Sequence, residues 1–123
     1  MKVLIVVDMQ NDFIDGSLGT KEAAGIVDRV AEVMDSFDGA VICTRDTHFA
    51  DYLETSEGRK LPVEHCIENT KGWEIEEHVW NACVEAYKGK DLVTICKPTF
   101  GSLTLGQMLQ NYAEHFGGEE LEI

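Results

Sequence analysis

Five consecutive apolar residues, Val3-Leu4-Ile5-Val6-Val7, run without interruption between Lys2 and Asp8. A strand with one wet face alternates apolar and polar residues; a continuous β-branched run suits a strand buried on both faces, as in a parallel sheet. The pattern recurs. Ala40-Val41-Ile42-Cys43-Thr44 is a second such strand and delivers Arg45-Asp46-Thr47-His48 to its carboxyl end, and Leu92-Val93-Thr94-Ile95-Cys96 is a third, ending at Lys97-Pro98. Between the first two, Ile26, Val27, Val30, Val33, Met34 and Phe37 recur at helical spacing. Trp73 to Tyr87 predicts a short helix or mixed segment. Ser102 is placed to cap a helix with Leu103, Leu105, Met108, Leu109 and Tyr112 as its apolar positions, stopped by Gly117-Gly118. Strands alternating with helices predict an α/β fold with a parallel sheet and helices on both faces.

Residues 1–123 read as a single domain, with no repeat, linker or low-complexity stretch. Residues 49–72 form the one long irregular segment, and such loops in compact domains usually serve a site. Glu120-Leu121-Glu122-Ile123 reads as the start of a fourth strand with no helix to cover it. The expectation is a domain incomplete at its C-terminus, although a frayed tail would look similar.

Ten basic against twenty-three acidic side chains give a net charge of −13. That balance argues against nucleic acid and against anionic membrane surfaces as partners. No apolar run approaches the roughly 20 residues of a membrane helix, and the first residues do not resemble a signal peptide. A cytoplasmic protein is expected, its four cysteines (Cys43, Cys66, Cys83, Cys96) free and mostly buried.

In open α/β sheets, sites form at the carboxyl ends of the strands. Three strands here end on groups able to do chemistry. Asp8 alone would cap its own turn, and Lys97 alone would reach to solvent along the surface. Together in a cleft, a carboxylate and an ammonium can move protons. Asp46 and His48, two apart on extended chain, point the same way, and His65 follows seventeen residues later. An Asp and two His suit a divalent, zinc-like metal with positions left open, unless they are unrelated loop residues. Cys66, adjacent to His65, would point away and is read as core.

The strings VVDMQNDF at 6–13, TRDTHF at 44–49, PVEHC at 62–66 and KPTFGS at 97–102 resemble the isochorismatase-like cysteine hydrolases, and within them the nicotinamidase-like branch. The resemblance spans this whole chain but about the first two-thirds of a family domain. It implies a Rossmann-like three-layer fold with a six-stranded parallel sheet, in which the strands bearing Asp8 and Lys97 are neighbours. It implies an Asp–Lys–Cys triad, with Asp8 and Lys97 as the first two members. The nucleophilic Cys of the family follows the next strand, and none of the four cysteines here matches it. It further implies a divalent metal, zinc foremost, on Asp46, His48 and His65. The chain departs from the branch at Thr47, where Trp is usual, and over Phe49-Ala50-Asp51-Tyr52 and the segment Leu53 to Leu61.

On this reading the protein is a hydrolase of the C–N bond in a small amide, nicotinamide being the model case. It works through a thioester, and residues 1–123 alone are inactive. Phe13, Trp73 and Phe100 are candidates for the apolar walls around the substrate, or else ordinary core aromatics. Expected partners are a small-molecule amide and, compatibly, a second copy of the chain; nucleic acid and membrane are not expected. Two other classes compete: a non-catalytic metal-binding or scaffold protein, and a receiver-type signalling domain, whose layout Asp8, Asp46 and Lys97-Pro98 imitate.

Overall fold

The computed structural model describes residues 2–87, 92–115, 120 and 122–123. Three parallel strands, β1 (Val3–Val7), β2 (Ala40–Asp46) and β3 (Leu92–Lys97), form a sheet in the order β1-β2-β3. Val3 pairs with Ala40 and Val7 with Thr44; Asp46 pairs with Lys97. The resemblance implies that the strands carrying Asp8 and Lys97 are neighbours; they are not, because β2 lies between them.

Among the described residues, five α-helices accompany the strands: α1 (Asn11–Ile14), α2 (Lys21–Ser36), α3 (Ser56–Lys60), α4 (Glu77–Tyr87) and α5 (Leu103–His115). Each strand divides its apolar residues by parity. Leu4, Val6, Val41 and Cys43 pack with Val27 and Met34 of α2 and with Val79, Ala82 and Cys83 of α4. Val3, Ile5, Ala40, Ile42 and Ile95 pack with Leu105, Met108, Leu109 and Tyr112 of α5. Helices thus cover both faces, which is why the strand runs show no polar alternation.

Local chemistry sets the helix ends. The Thr20 hydroxyl accepts the N–H of Ala23 (3.0 Å) at the start of α2, and the Ser102 hydroxyl that of Leu105 (3.1 Å) at the start of α5. Ile26 departs from the predicted stripe: it is 48% exposed, in a groove it lines with Leu4 to Val7 along the outer edge of β1. At that edge the N–H of Val3 donates to the carbonyl of Glu122 (2.9 Å), a parallel bridge between Lys2 and Glu122. The fourth-strand expectation rests on this bridge among the described residues; Leu121 and the Gly117-Gly118 stop lie outside them.

The segment 49–72 is more ordered than its sequence suggests. A 3-10 turn at Tyr52–Glu54 leads into α3, where the Thr55 hydroxyl accepts the N–H of Gly58 (3.0 Å). Tyr52 is fully buried and donates its hydroxyl to the carbonyl of Leu61 (2.8 Å). Gly58 lies so close to the Tyr52 carbonyl that a Cβ would overlap it. Further on, the N–H of His48 donates to the Cys66 carbonyl (2.9 Å) and that of Glu68 to the His48 carbonyl (2.8 Å). This single parallel bridge lays residues 65–68 against the end of β2. The segment 73–87 begins on the last residue of a 3-10 turn, Lys71–Trp73, and is helical from Glu77 as α4.

Candidate active site and metal centre

Asp8 stands just past β1 with a left-handed backbone (φ 50), uncommon for a residue with a side chain. Its N–H faces the Thr44 carbonyl and hydroxyl, both at 3.2 Å. Both carboxylate oxygens are engaged: Oδ1 accepts the Thr44 hydroxyl at 2.6 Å, and Oδ2 lies 2.7 Å from Lys97 Nζ. The Lys97 side chain is only 8% exposed and that of Asp8 17%. Lys97 therefore does not reach to solvent, and the Asp8 carboxylate does not cap its own turn. The two meet over Thr44 of the intervening strand. Lys97 shares the sheet face of Ile95, and Thr44 and Asp46 share that of Ile42, so side-chain parity puts all three on one side.

The second cluster begins one rung along. Asp46 Oδ2 lies 2.9 Å from His48 Nε2 and 3.3 Å from His65 Nε2. Glu57, absent from the sequence prediction, brings Oε2 to 3.9 Å from His48 Nε2. The ligand-type atoms of Asp46, His48, Glu57 and His65 all lie within 4.8 Å of one another. His65 Nδ1 bonds the Val63 carbonyl at 2.8 Å, which leaves Nε2 with its lone pair toward the cluster. Tyr52 packs against both imidazoles, with centroids 4.7 Å from His48 and 5.0 Å from His65, and Phe13 stands 5.5 Å from His65. Burial, and then the charges of Glu57 and Asp46, push the Tyr52 hydroxyl above its usual range.

Two imidazoles and two carboxylates in a largely buried cluster suit a zinc-like divalent ion, and tetrahedral ligands at about 2.1 Å from such an ion lie about 3.4 Å apart. The spacing of His65 and Asp46 is close to that, and the buried Asp46 and partly buried Glu57 are like charges whose repulsion a cation between them would offset. The residues fit the group.

The three aromatic candidates divide. Phe13 lines the His65 side of the cluster. Phe100 is 89% exposed at the rim of a cleft of about 400 Å³ bordered by His48, Thr55, Glu57, Lys60 and Pro98. Trp73 is set by other partners: its indole N–H donates to the Thr47 hydroxyl (2.9 Å), and the Arg45 guanidinium lies 4.0 Å over its ring. Arg45 and Thr47 alternate with Asp46 and His48, so they turn Trp73 toward the opposite face.

All four cysteines are free. Cys43 and Cys83 meet at 3.2 Å in the core beneath α4, and this contact together with burial pushes the Cys43 thiol far above its usual range. Cys66 is buried near the two clusters. Burial, then the charges of Asp46, Asp12 and Asp8, push its thiol up, and Lys97 offsets this only in part. Cys96 is exposed on β3.

The isochorismatase domain model matches residues 2–111. The chain is 29% identical to the nicotinamidase of Saccharomyces cerevisiae over 114 residues, covering 68% of this chain and 52% of that protein. Among solved structures, the nicotinamidase/pyrazinamidase of Bacillus subtilis superposes with a TM-score of 0.77 at 24% identity, over 90% of this chain and 65% of that one. The pyrazinamidase of Pyrococcus horikoshii, solved in complex with zinc, gives 0.63 at 25% identity, over 91% and 65%. The chain thus spans between about half and two-thirds of the length of these proteins. A receiver domain is excluded by the family match. With a parallel sheet covered on both faces, chemistry gathered at its carboxyl edge and a domain match over nearly its whole length, the chain belongs to the isochorismatase family.

Proposed function

We propose that this chain carries the acid–base and metal-binding groups of a cysteine hydrolase that cleaves the C–N bond of a small amide, with nicotinamide as the model substrate. The contact of Asp8 with Lys97, 2.7 Å and almost closed to water, carries the reading. A carboxylate so placed can take a thiol proton and return it to the leaving amine. The ammonium beside it favours the thiolate and steadies Asp8. The thiolate attacks the amide carbonyl, a thioester forms as ammonia leaves, and water then hydrolyses the thioester.

The attacking thiol is assigned to residues other than these 123. Cys66 is the cysteine here that feels both Asp8 and Lys97, and its surroundings disfavour the thiolate, the reverse of what a nucleophile needs. A bound divalent ion would anchor and orient the substrate. Asp46, His48, His65 and Glu57 would hold it, and the cleft reaching Phe100 gives a small planar amide a place beside His48. The zinc in the Pyrococcus horikoshii pyrazinamidase supports this assignment.

The experiment is ammonia release from nicotinamide, by residues 1–123 and by the gene product with any residues encoded downstream. The longer protein is expected to turn over and the 1–123 chain to stay at background. Asp8→Asn should cut kcat of the longer protein by about 10³-fold or more. Parental turnover by Asp8→Asn, or nicotinamidase-level turnover by residues 1–123, would refute the assignment.

A further inference from the structure

Neither of the loops that bear the metal-type residues is held by the cluster alone. Gln10 is wholly buried, and its side chain is spent on main chain. Its Nε2 donates to the carbonyls of Asp46 and Trp73, both at 2.8 Å, and its Oε1 accepts the N–H of Asp46 at 2.7 Å. The amide therefore pairs both main-chain groups of Asp46, as a neighbouring strand would, at the point that β1 has already left. Two residues on, Asp12 Oδ2 accepts the N–H of Cys66 at 2.8 Å. Cys66 is left-handed (φ 49), a conformation that disfavours side-chain-bearing residues, and it directly follows His65. Its carbonyl in turn accepts the N–H of His48. Gly72 makes the seat for Asp12, since a Cβ there would fall inside the carboxylate.

We propose that Gln10 and Asp12 are positioning residues of the metal centre: they fix the main chain of Asp46 and of the His65-Cys66 peptide, and so set the affinity for a divalent ion. The proposal rests on the metal reading of Asp46, His48, Glu57 and His65. A site whose ligands already converge spends little on ordering loops when the ion arrives; one with slack loops loses that part of the affinity. Gln10 and Asp12 act through hydrogen bonds to the main chain of the residues that would hold the ion. Both braces lie on the same short stretch as Asp8, so one segment sets the base and the metal ligands in a common frame.

The test uses the full chain, with zinc affinity measured by competition against a chromophoric chelator and the visible absorption of the cobalt form as a report on ligand geometry. Gln10→Leu removes the three bonds at similar volume. Asp12→Ala removes the acceptor, and Asp12→Asn keeps an oxygen in its place. Gln10→Leu and Asp12→Ala should each weaken zinc binding about 10–100-fold and weaken the cobalt bands, while Asp12→Asn stays within about threefold of the parent. Melting of the metal-free proteins, run alongside, separates a lost site from a lost fold; a purely structural role would lower the melting temperature and leave the affinity of the folded protein unchanged. If Gln10→Leu does not fold, the contrast between Asp12→Ala and Asp12→Asn decides. Parental zinc affinity in the folded Gln10→Leu and Asp12→Ala proteins, with binding lost in His48→Ala, would overturn the braces and leave the metal reading standing. Zinc binding that survives His48→Ala combined with His65→Ala would overturn the metal reading and the braces with it.

Discussion

At the residue scale, the Asp8–Lys97 pair has a stability consequence apart from chemistry. Breaking a buried pair by removing one partner strands the other charge. Lys97→Met should therefore destabilise the chain by about 3 kcal/mol in urea unfolding, and Asp8→Asn with Lys97→Met should cost less than the two single changes added together. Additivity within about 0.5 kcal/mol would mean the two groups do not feel each other. The placement of Asp8, Asp46, His48 and Lys97 at the sheet's carboxyl edge could be read in the sequence because strand ends and period-two alternation fix where such side chains go; His65, in irregular chain, could be proposed only from its residue type and the family resemblance. Glu57 could not be read there. It sits in a helix of five residues, too short to show a period, and its approach to His48 depends on the buried Tyr52 and the close turn at Gly58. Gln10 was equally hidden, because nothing in a sequence marks an amide as a partner for another residue's peptide.

At the element scale, α4 shows how an end is specified. Glu76 precedes it, and its Oε2 accepts the N–H groups of His78 (2.8 Å) and Val79 (3.1 Å) while Oε1 bonds His78 Nδ1 (2.7 Å). Burial works against the Glu76 charge, but the His78 ring and these N–H groups outweigh it and hold the carboxyl below its ordinary 4.5. The hydrogen bond that the His78 ring donates to Glu76, and then the Glu76 charge, raise His78 above its ordinary 6.5. The lowered acid contributes stability above 4.5 that is lost as pH falls through its folded value; the raised imidazole contributes below 6.5 and loses this as pH rises through its own. The stabilisation of the parent relative to Glu76→Gln should thus be greatest between pH 4.5 and 6.5 in melts taken across the pH range. A difference that does not vary with pH would remove the pair from the account. The sequence leaves 73–87 between helix and mixed structure because its first four residues precede the helix, which starts only at Glu77, so no single period holds over the whole segment.

At the scale of the whole molecule, the α/β class and the two-faced burial could be read from three unbroken apolar runs, because only a sheet covered on both sides hides such strands. The order of the strands could not be read in that way. Placing Asp8 and Lys97 on neighbouring strands was wrong by one strand, since β2 stands between them and the side chains span it. That contact also bears on time. It joins the first strand to the third, so it can close only after both crossovers have docked, and closing such distant points is the slow part of forming a parallel sheet. A bond made after the barrier governs escape from the native state rather than arrival at it. Lys97→Met should accordingly leave the refolding rate within about threefold of the parent and place nearly all of its destabilisation in faster unfolding, as stopped-flow urea kinetics would read directly. The pair assigned to proton transfer would then also be the latch that sets how long the folded chain survives.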